Sequence, residues 1–89
     1  MTREAVERSM QLARAEIQAA KGRQARHAHI VAMAASHGVE IGAIPIDDEL
    51  AVTRAVARLE AWGVPLDQAL INPPTAAQIL AGHDERREP

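Results

Sequence analysis

The chain has 89 residues and a formal charge of −2, which excludes a strong, sequence-independent attraction to nucleic acid or to anionic membranes. A chain of this length forms at most one domain. It contains no cysteine, which excludes disulfides, thiolate nucleophiles and cysteine-ligated zinc.

The apolar residues are numerous but mostly small. They make up 47% of the chain, yet alanine supplies much of that fraction, and there is one tryptophan and no phenylalanine or tyrosine. Burying alanine stabilises a fold much less than burying leucine or isoleucine. We therefore expect a shallow core that needs help from self-association or from a partner. The abundance of alanine, with arginine carrying almost all the positive charge, is typical of a GC-rich coding sequence and indicates a bacterial or phage origin.

The first predicted element is a helix that begins after Thr2, whose side-chain oxygen can accept a hydrogen bond from the first turn. Its apolar residues recur at alternating steps of four and three and form one stripe: Val6, Met10, Ala13, Ile17 and Ala20. A narrow stripe of this kind is typical of a helix that packs on a partner, either within the chain or across a dimer.

Gly22 interrupts this pattern, and the apolar face resumes at Ile30. A glycine inside a helix costs only about 1 kcal/mol relative to alanine, so the sequence allows either two helices or one helix with a phase shift. We favour one continuous or kinked helix up to His37. Gly38 is then a natural left-handed stop at its C-terminus.

The segment VEIGAIPI, residues 39–46, is the only β-like part of the chain. A single short strand cannot satisfy its own backbone hydrogen bonds. We expect an extended apolar connector, and the alternative is a strand paired with its copy in a dimer.

The clearest predicted element is a helix over residues 48–62, because both of its ends are signalled. Asp47 is the expected N-cap, and the acidic residues that follow it suit the positive end of the helix dipole. Gly63 stands where a left-handed C-cap belongs, and Pro65 prevents the helix from continuing. Its apolar residues recur at helical spacing: Val52, Ala55, Val56, Leu59 and Trp62.

Two short helical turns are predicted after this helix. The segment PLDQAL can start one of them at Pro65, in the first helical position. The segment TAAQILAG can form the other, with Thr75 and Gln78 spaced as a capping box and Gly82 as the stop. The charged residues 83–89 have nothing to bury and are expected to be a disordered tail.

The predicted fold is therefore all-α, a small helical domain over residues 1–82. It has one long or kinked N-terminal helix, a second well-capped helix, and one or two short C-terminal helical turns. No apolar run approaches the roughly 20 residues that a membrane span needs. The N-terminal residues MTREAVERSM lack the order of charged and apolar segments typical of a signal peptide, so we expect a cytoplasmic protein.

Residues 25–45 partly imitate a DNA-binding helix-turn-helix, with Ala34 four places before a possible turn glycine at Gly38. The second helix of such a motif would contain Gly42 and Pro45, and a proline inside a helix costs about 3 kcal/mol or more. A recognition helix also carries basic or amide side chains to bases and phosphates, whereas the charged residues of this second segment are acidic. We therefore reject this motif.

A cluster of basic residues lies just upstream and is the other candidate contact site: Lys21, Arg23, Arg26 and His27, followed by His29. Such a cluster can bind a phosphate or another anion, or an acidic protein surface. The alternative interpretation is an ordinary solvated helix face. No aromatic residues are interleaved, so the base stacking used by single-strand binders is not available.

Catalytic and metal sites are not predicted. His27 and His29 point to different sides of a helix, and no two histidines are spaced three or four apart as a chelating pair would be. Helix capping accounts for the acidic run of residues 47–49. The serines lack a glycine-flanked elbow, and no glycine-rich phosphate loop is present. We expect no enzymatic activity, no cofactor and no metal.

The resulting hypothesis is a non-catalytic protein-binding module, such as a small inhibitor, antitoxin, adaptor or accessory subunit, with homodimerisation as one possible form of contact. The alternative is a nucleic-acid-associated regulator that uses the basic segment Lys21–His29, and its binding would weaken steeply with salt. The candidate partner-binding residues are apolar: Val6, Met10, Ile17, Ile41 and Ile44, with Leu70 or Ile71 as further exposed positions.

Overall fold

A computed structural model describes residues 2–85 of the chain, with side chains described for residues 2–82. The described residues form four α-helices and no strand: α1 (Arg3–Ser36), α2 (Glu49–Ala61), α3 (Gln68–Ile71) and α4 (Ala76–Glu85). The predicted all-α fold, with a long first helix and short C-terminal helices, is confirmed.

Helix α1 runs through Gly22 without a break and ends at Ser36. The Thr2 hydroxyl accepts a hydrogen bond from the backbone N–H of Ala5 at 3.2 Å, as expected of a cap. At the other end Gly38 has φ +67°, and the next N–H, that of Val39, donates to the carbonyl of Ala34 at 2.9 Å. A glycine at this position meets no steric penalty in the left-handed conformation.

Helix α2 has both caps, but the N-cap is Asp48 and the prediction of Asp47 was wrong. The Asp48 carboxylate accepts from the N–H of Ala51 at 3.1 Å. The Asp47 carboxylate instead accepts from Arg23 Nε at 3.2 Å, a contact between distant parts of the chain that sequence spacing does not show. The predicted left-handed C-cap is confirmed, with φ +75° at Gly63.

The two C-terminal helices begin and end differently from the prediction. Helix α3 starts after Asp67, whose carboxylate accepts from two backbone N–H groups, and not at Pro65. Thr75 and Gln78 do form the predicted capping box, with bonds of 3.2 and 2.9 Å. Helix α4 continues through Gly82 to Glu85, because a glycine weakens a helix without ending it. The predicted tail therefore begins inside a helix, and its residues 86–89 lie outside the described residues.

The chain divides into two compact units, Met1–Gly22 with Pro74–Pro89, and Arg23–Pro73. In the second unit, Leu59 and Ile30 are the largest fully buried side chains. The connector of residues 39–46 forms no strand, and Gly42 within it has a φ of +70°. The buried core of this unit is apolar throughout: Ile30, Ala34, Val39, Val52, Ala55, Leu59, Val64 and Ile71.

In the first unit, α1 buries a face of small residues. Ala15 and Ala19 are 3% and 2% exposed, and the unit's other described helix is α4. Alanine at both positions limits how much apolar area this face removes from water. The prediction of a single domain over residues 1–82 stays a prediction.

Candidate protein-binding surface

The apolar stripe predicted on the first helix is exposed. We call Val6, Met10, Ala13, Ile17 and Ala20 the α1 stripe. Its three large side chains, Val6, Met10 and Ile17, are 41%, 49% and 57% exposed. Ala13 is also exposed and Ala20 is half-buried. The stripe thus does not pack within the protomer, which leaves contact with a partner as the open alternative.

The opposite face of the same helix segment is the buried one. At 3.6 residues per turn, Ala15 and Ala19 lie roughly half a turn around the helix axis from Met10 and Ile17. The segment therefore has two apolar faces, of which the protomer uses only the one formed by alanines. The larger and more hydrophobic side chains are the ones left in solvent.

The basic cluster is largely engaged inside the Arg23–Pro73 unit. Arg26 is 7% exposed, and its guanidinium donates two hydrogen bonds to the carboxylate of Glu49, at 3.0 and 2.9 Å. This fork geometry joins α1 to the first residue of α2. It also holds the pKa of Glu49 below its ordinary value, mainly through the hydrogen bonds from Arg26, while partial desolvation acts in the opposite direction.

Three further side chains of the cluster tie α1 to other segments of the same unit. Arg23 pairs with Asp47 at 3.2 Å. The His27 ring nitrogen Nε2 lies 2.8 Å from the carbonyl oxygen of Ile44. The Nε2 of His29 accepts a hydrogen bond from the backbone N–H of Asp67 at 3.0 Å. Lys21, the remaining member of the cluster, is exposed.

The sequence did contain a signal for the burial of Arg26. Ala19, Arg26 and Ile30 follow one another on one face of α1 at spacings that match whole helical turns, and all three are buried. A buried arginine needs an acidic partner, but Glu16 and Glu40 are both nearer to Arg26 in sequence than the acidic residues at the start of α2. The chain reversal that brings Glu49 to Arg26 could not be predicted from either residue.

Two of the candidate contact residues on the connector offer less surface than expected. Ile41 and Ile44 are half-buried and pack against the core of the Arg23–Pro73 unit. Ile71 belongs to that core, at 8% exposed, whereas Leu70 is 37% exposed. The expectation that Ile41 and Ile44 are exposed was therefore wrong, because the shallow core recruits apolar residues from the connector, whereas of the alternatives Leu70 and Ile71 it is Leu70 that is exposed.

Trp62 is the most exposed of the apolar residues at helical spacing in and next to α2. It is the C-cap residue and is 70% exposed. The helix ends here, and the next residues turn away so that Val64 fills the core, its N–H donating to the carbonyl of Leu59 at 3.0 Å. Leu50, in the first turn of the helix, is 60% exposed.

An open cleft of about 310 Å³ lies in the Arg23–Pro73 unit and is lined mainly by polar side chains of α2 and α3. This volume is at the lower end of the range for small-molecule sites, about 300–1,000 Å³. Arg26 lines the cleft, but its Nε is shielded from solvent and has no hydrogen-bond partner in the described residues. A ligand in the cleft does not reach this N–H without a rearrangement of the walls.

Within the described residues, no three histidine or acidic side chains converge so that they could hold a metal ion. No helix in this part of the chain is both long enough and apolar enough to cross a membrane. Comparisons with protein-family models, with curated proteins and with solved structures found no match. The function must therefore be inferred from the surface geometry.

Proposed function

We propose that this chain is a non-catalytic protein-binding module whose contact surface is the α1 stripe. The observation that carries this proposal is the exposure of Val6, Met10 and Ile17 on one face of a helix whose opposite face is already buried. An apolar face left in water is costly, and a contiguous exposed patch of this kind is typical of a protein interaction site.

The surface suits recognition between helices. Side chains at alternating steps of four and three form a continuous ridge that fits the groove of a facing helix or a hydrophobic groove on another fold. Helix α1 is already formed, so a partner does not have to offset the entropy of ordering this segment. The charged residues Glu7 and Arg14 flank the ridge and are exposed, which supplies a polar rim.

The biological role that fits such a module is that of a small inhibitor, an antitoxin, an adaptor or an accessory subunit. We also propose a bacterial or phage origin, on the basis of the composition, and a cytoplasmic location. The partner is another protein or a second copy of this chain.

A nucleic-acid-associated role for the basic segment Lys21–His29 is the weaker proposal. Arg23 and Arg26 are paired with Asp47 and Glu49, so their charges are largely neutralised within the chain. A phosphate would have to compete with these carboxylates.

The test is affinity capture with three forms of the full chain. The wild type is compared with the stripe variant Met10→Asp/Ile17→Asp and with the control Leu50→Asp. Leu50 is 60% exposed, close to the 57% of Ile17, so the control adds one of the two negative charges of the stripe variant at an equally exposed apolar site. Circular dichroism must first show the same helix content for all three.

We expect the same bound protein with the wild type and with the control, and its loss with the stripe variant. The captured protein is then purified, and its affinity for the chain is measured at two salt concentrations. An apolar interface changes little with salt, whereas phosphate contacts weaken steeply. Equal capture by the stripe variant and the wild type would overturn the proposal.

A further inference from the structure

We propose that the partner of the α1 stripe is the α1 stripe of a second copy of this chain, packed in the antiparallel direction. This inference rests on the proposed function, since it identifies the partner of the same surface. Two features of the exposed face carry it: the order of side-chain sizes along the stripe, and the arrangement of charges along one edge.

The first feature is the order of side-chain sizes along the stripe. In an antiparallel pair with Met10 of one copy opposite Ala13 of the other, Ile17 of the first copy lies opposite Val6 of the second. Neither layer then places two methionines or two alanines opposite each other, which lets the two helices keep a more even separation. In a parallel pair Met10 would face Met10 and Ala13 would face Ala13, and the layers would be alternately overfilled and empty.

The second feature is the charge on the edge of the stripe. Glu7 and Arg14 are seven residues apart, so they lie on the same edge of α1, and both are exposed. Neither forms an ion pair within the described part of the protomer. In the antiparallel register, Glu7 of each copy lies beside Arg14 of the other, which gives two attractive pairs by symmetry.

The other edge of the stripe does not oppose this arrangement. In the same register Glu16 of one copy lies beside Ser9 of the other, so no like charges meet there. In a parallel pair Glu16 would instead lie beside Lys21 of the second copy. The two directions therefore predict different effects of charge substitutions on the affinity of the dimer. The direction of pairing can be measured from these effects.

Association of this kind is favoured because the helices are formed before they meet. An isolated peptide of two heptads is marginal as a helix in water. Here the opposite face of the segment is already buried through Ala15 and Ala19, so the helix is held in the protomer. The net charge of −2 adds little repulsion between two copies.

The orientation is tested by disulfide cross-linking of the full-length chain, which contains no cysteine of its own. The variants Val6→Cys and Ile17→Cys are oxidised separately in a thiol redox buffer and then as a mixture. Antiparallel pairing predicts rapid cross-linking of the mixture into a heterodimer and slow cross-linking of each variant alone. Rapid cross-linking of each variant with itself would overturn the antiparallel direction.

The charge pairs are tested by sedimentation equilibrium over a dilution series. Glu7→Arg and Arg14→Glu should each weaken the dimer about tenfold, because two exposed ion pairs become like-charge contacts. The combined variant Glu7→Arg/Arg14→Glu should restore the wild-type affinity. The matched control Glu16→Arg should have little effect, and a loss of affinity in that variant would indicate parallel pairing.

A monomer at every concentration would overturn self-association. The proposed function would still stand in that case if the stripe variant Met10→Asp/Ile17→Asp lost capture of a different protein that the wild type binds. If the wild type is monomeric and the stripe variant captures the same proteins as the wild type, both proposals fail.

Discussion

Arg26 and Glu49 form one pair, but we expect the two residues to contribute very unequally to stability. The Arg26 side chain is 8% exposed, whereas that of Glu49 is 63% exposed. Replacing Glu49 by alanine leaves a buried guanidinium without the two hydrogen bonds that now satisfy it. Replacing Arg26 by methionine leaves a carboxylate that water already reaches, and it also removes the Nε that has no partner.

The exposure of the two side chains sets the expected changes in the free energy of unfolding. Breaking a fully buried pair costs about 3–5 kcal/mol, and the exposure of Glu49 reduces our expectation for Glu49→Ala to about 2–3 kcal/mol. Methionine has similar length and fills much of the space of the arginine stem, so Arg26→Met should stay within about 1 kcal/mol of the wild type. The double variant Arg26→Met/Glu49→Ala should be about as stable as Arg26→Met, since it contains no buried guanidinium without a partner.

The assay is urea denaturation followed by circular dichroism at 222 nm, which reports on the helices. Tryptophan fluorescence is a poor alternative because Trp62 is 70% exposed. The difference in stability between the double variant and Arg26→Met also measures the interaction of Glu49 with the helix dipole, about 0.3–1 kcal/mol. If Arg26→Met destabilised the protein as much as Glu49→Ala, the reasoning from unequal burial would be refuted.

Three other perturbations give expected outcomes that the same denaturation assay can check. The pKa of folded Glu49 lies below its ordinary value of 4.5, so its contribution to stability is present above that pH and is lost as the pH falls through the lower folded value. Glu49→Gln should therefore lose less stability than the wild type on acidification from neutral pH, and parallel acid titrations of the two proteins would contradict this. Leu59→Ala, at a side chain with 0% exposure, should cost about 2–5 kcal/mol, whereas Leu50→Ala should stay within about 0.5 kcal/mol; equal losses at the two sites would contradict the described core. Gly63→Ala should cost about 1–2 kcal/mol from its φ of +75° alone, because an added Cβ meets nothing within 4 Å. Gly82→Ala, inside α4 and equally open, should instead stabilise by about 0.5–1 kcal/mol, and a loss there would argue against the helix continuing to Glu85.

Much of the candidate surface could be predicted from the sequence, because it depends on helical periodicity alone. The spacing of Val6, Met10 and Ile17 determines that they share a face, whatever the rest of the chain does. Whether that face is buried or exposed is a different question. It depends on which side of α1 the remaining chain covers, and the alanine face formed by Ala15 and Ala19 is the covered one.

Several helix ends were predicted correctly from groups that are close in sequence, whereas the start predicted at Pro65 and the stop predicted at Gly82 were wrong. The caps at Thr2, Gly38 and Gly63 and the box formed by Thr75 and Gln78 each involve groups within a few residues of one another. Such groups meet in any chain with that local sequence, since a single turn of backbone brings them together. These features therefore followed from the sequence without any knowledge of the tertiary structure.

The long-range contacts were decided only by the tertiary structure. Arg23 reaches Asp47, and Arg26 is buried against Glu49 in place of remaining on a solvated face. Each of these contacts joins residues more than 20 positions apart, and their energy depends on how the chain reverses between α1 and α2. The periodicity of a single helix contains no information about that reversal. Helical periodicity therefore specified the faces of the helices, and packing selected which face and which charges remain in solvent.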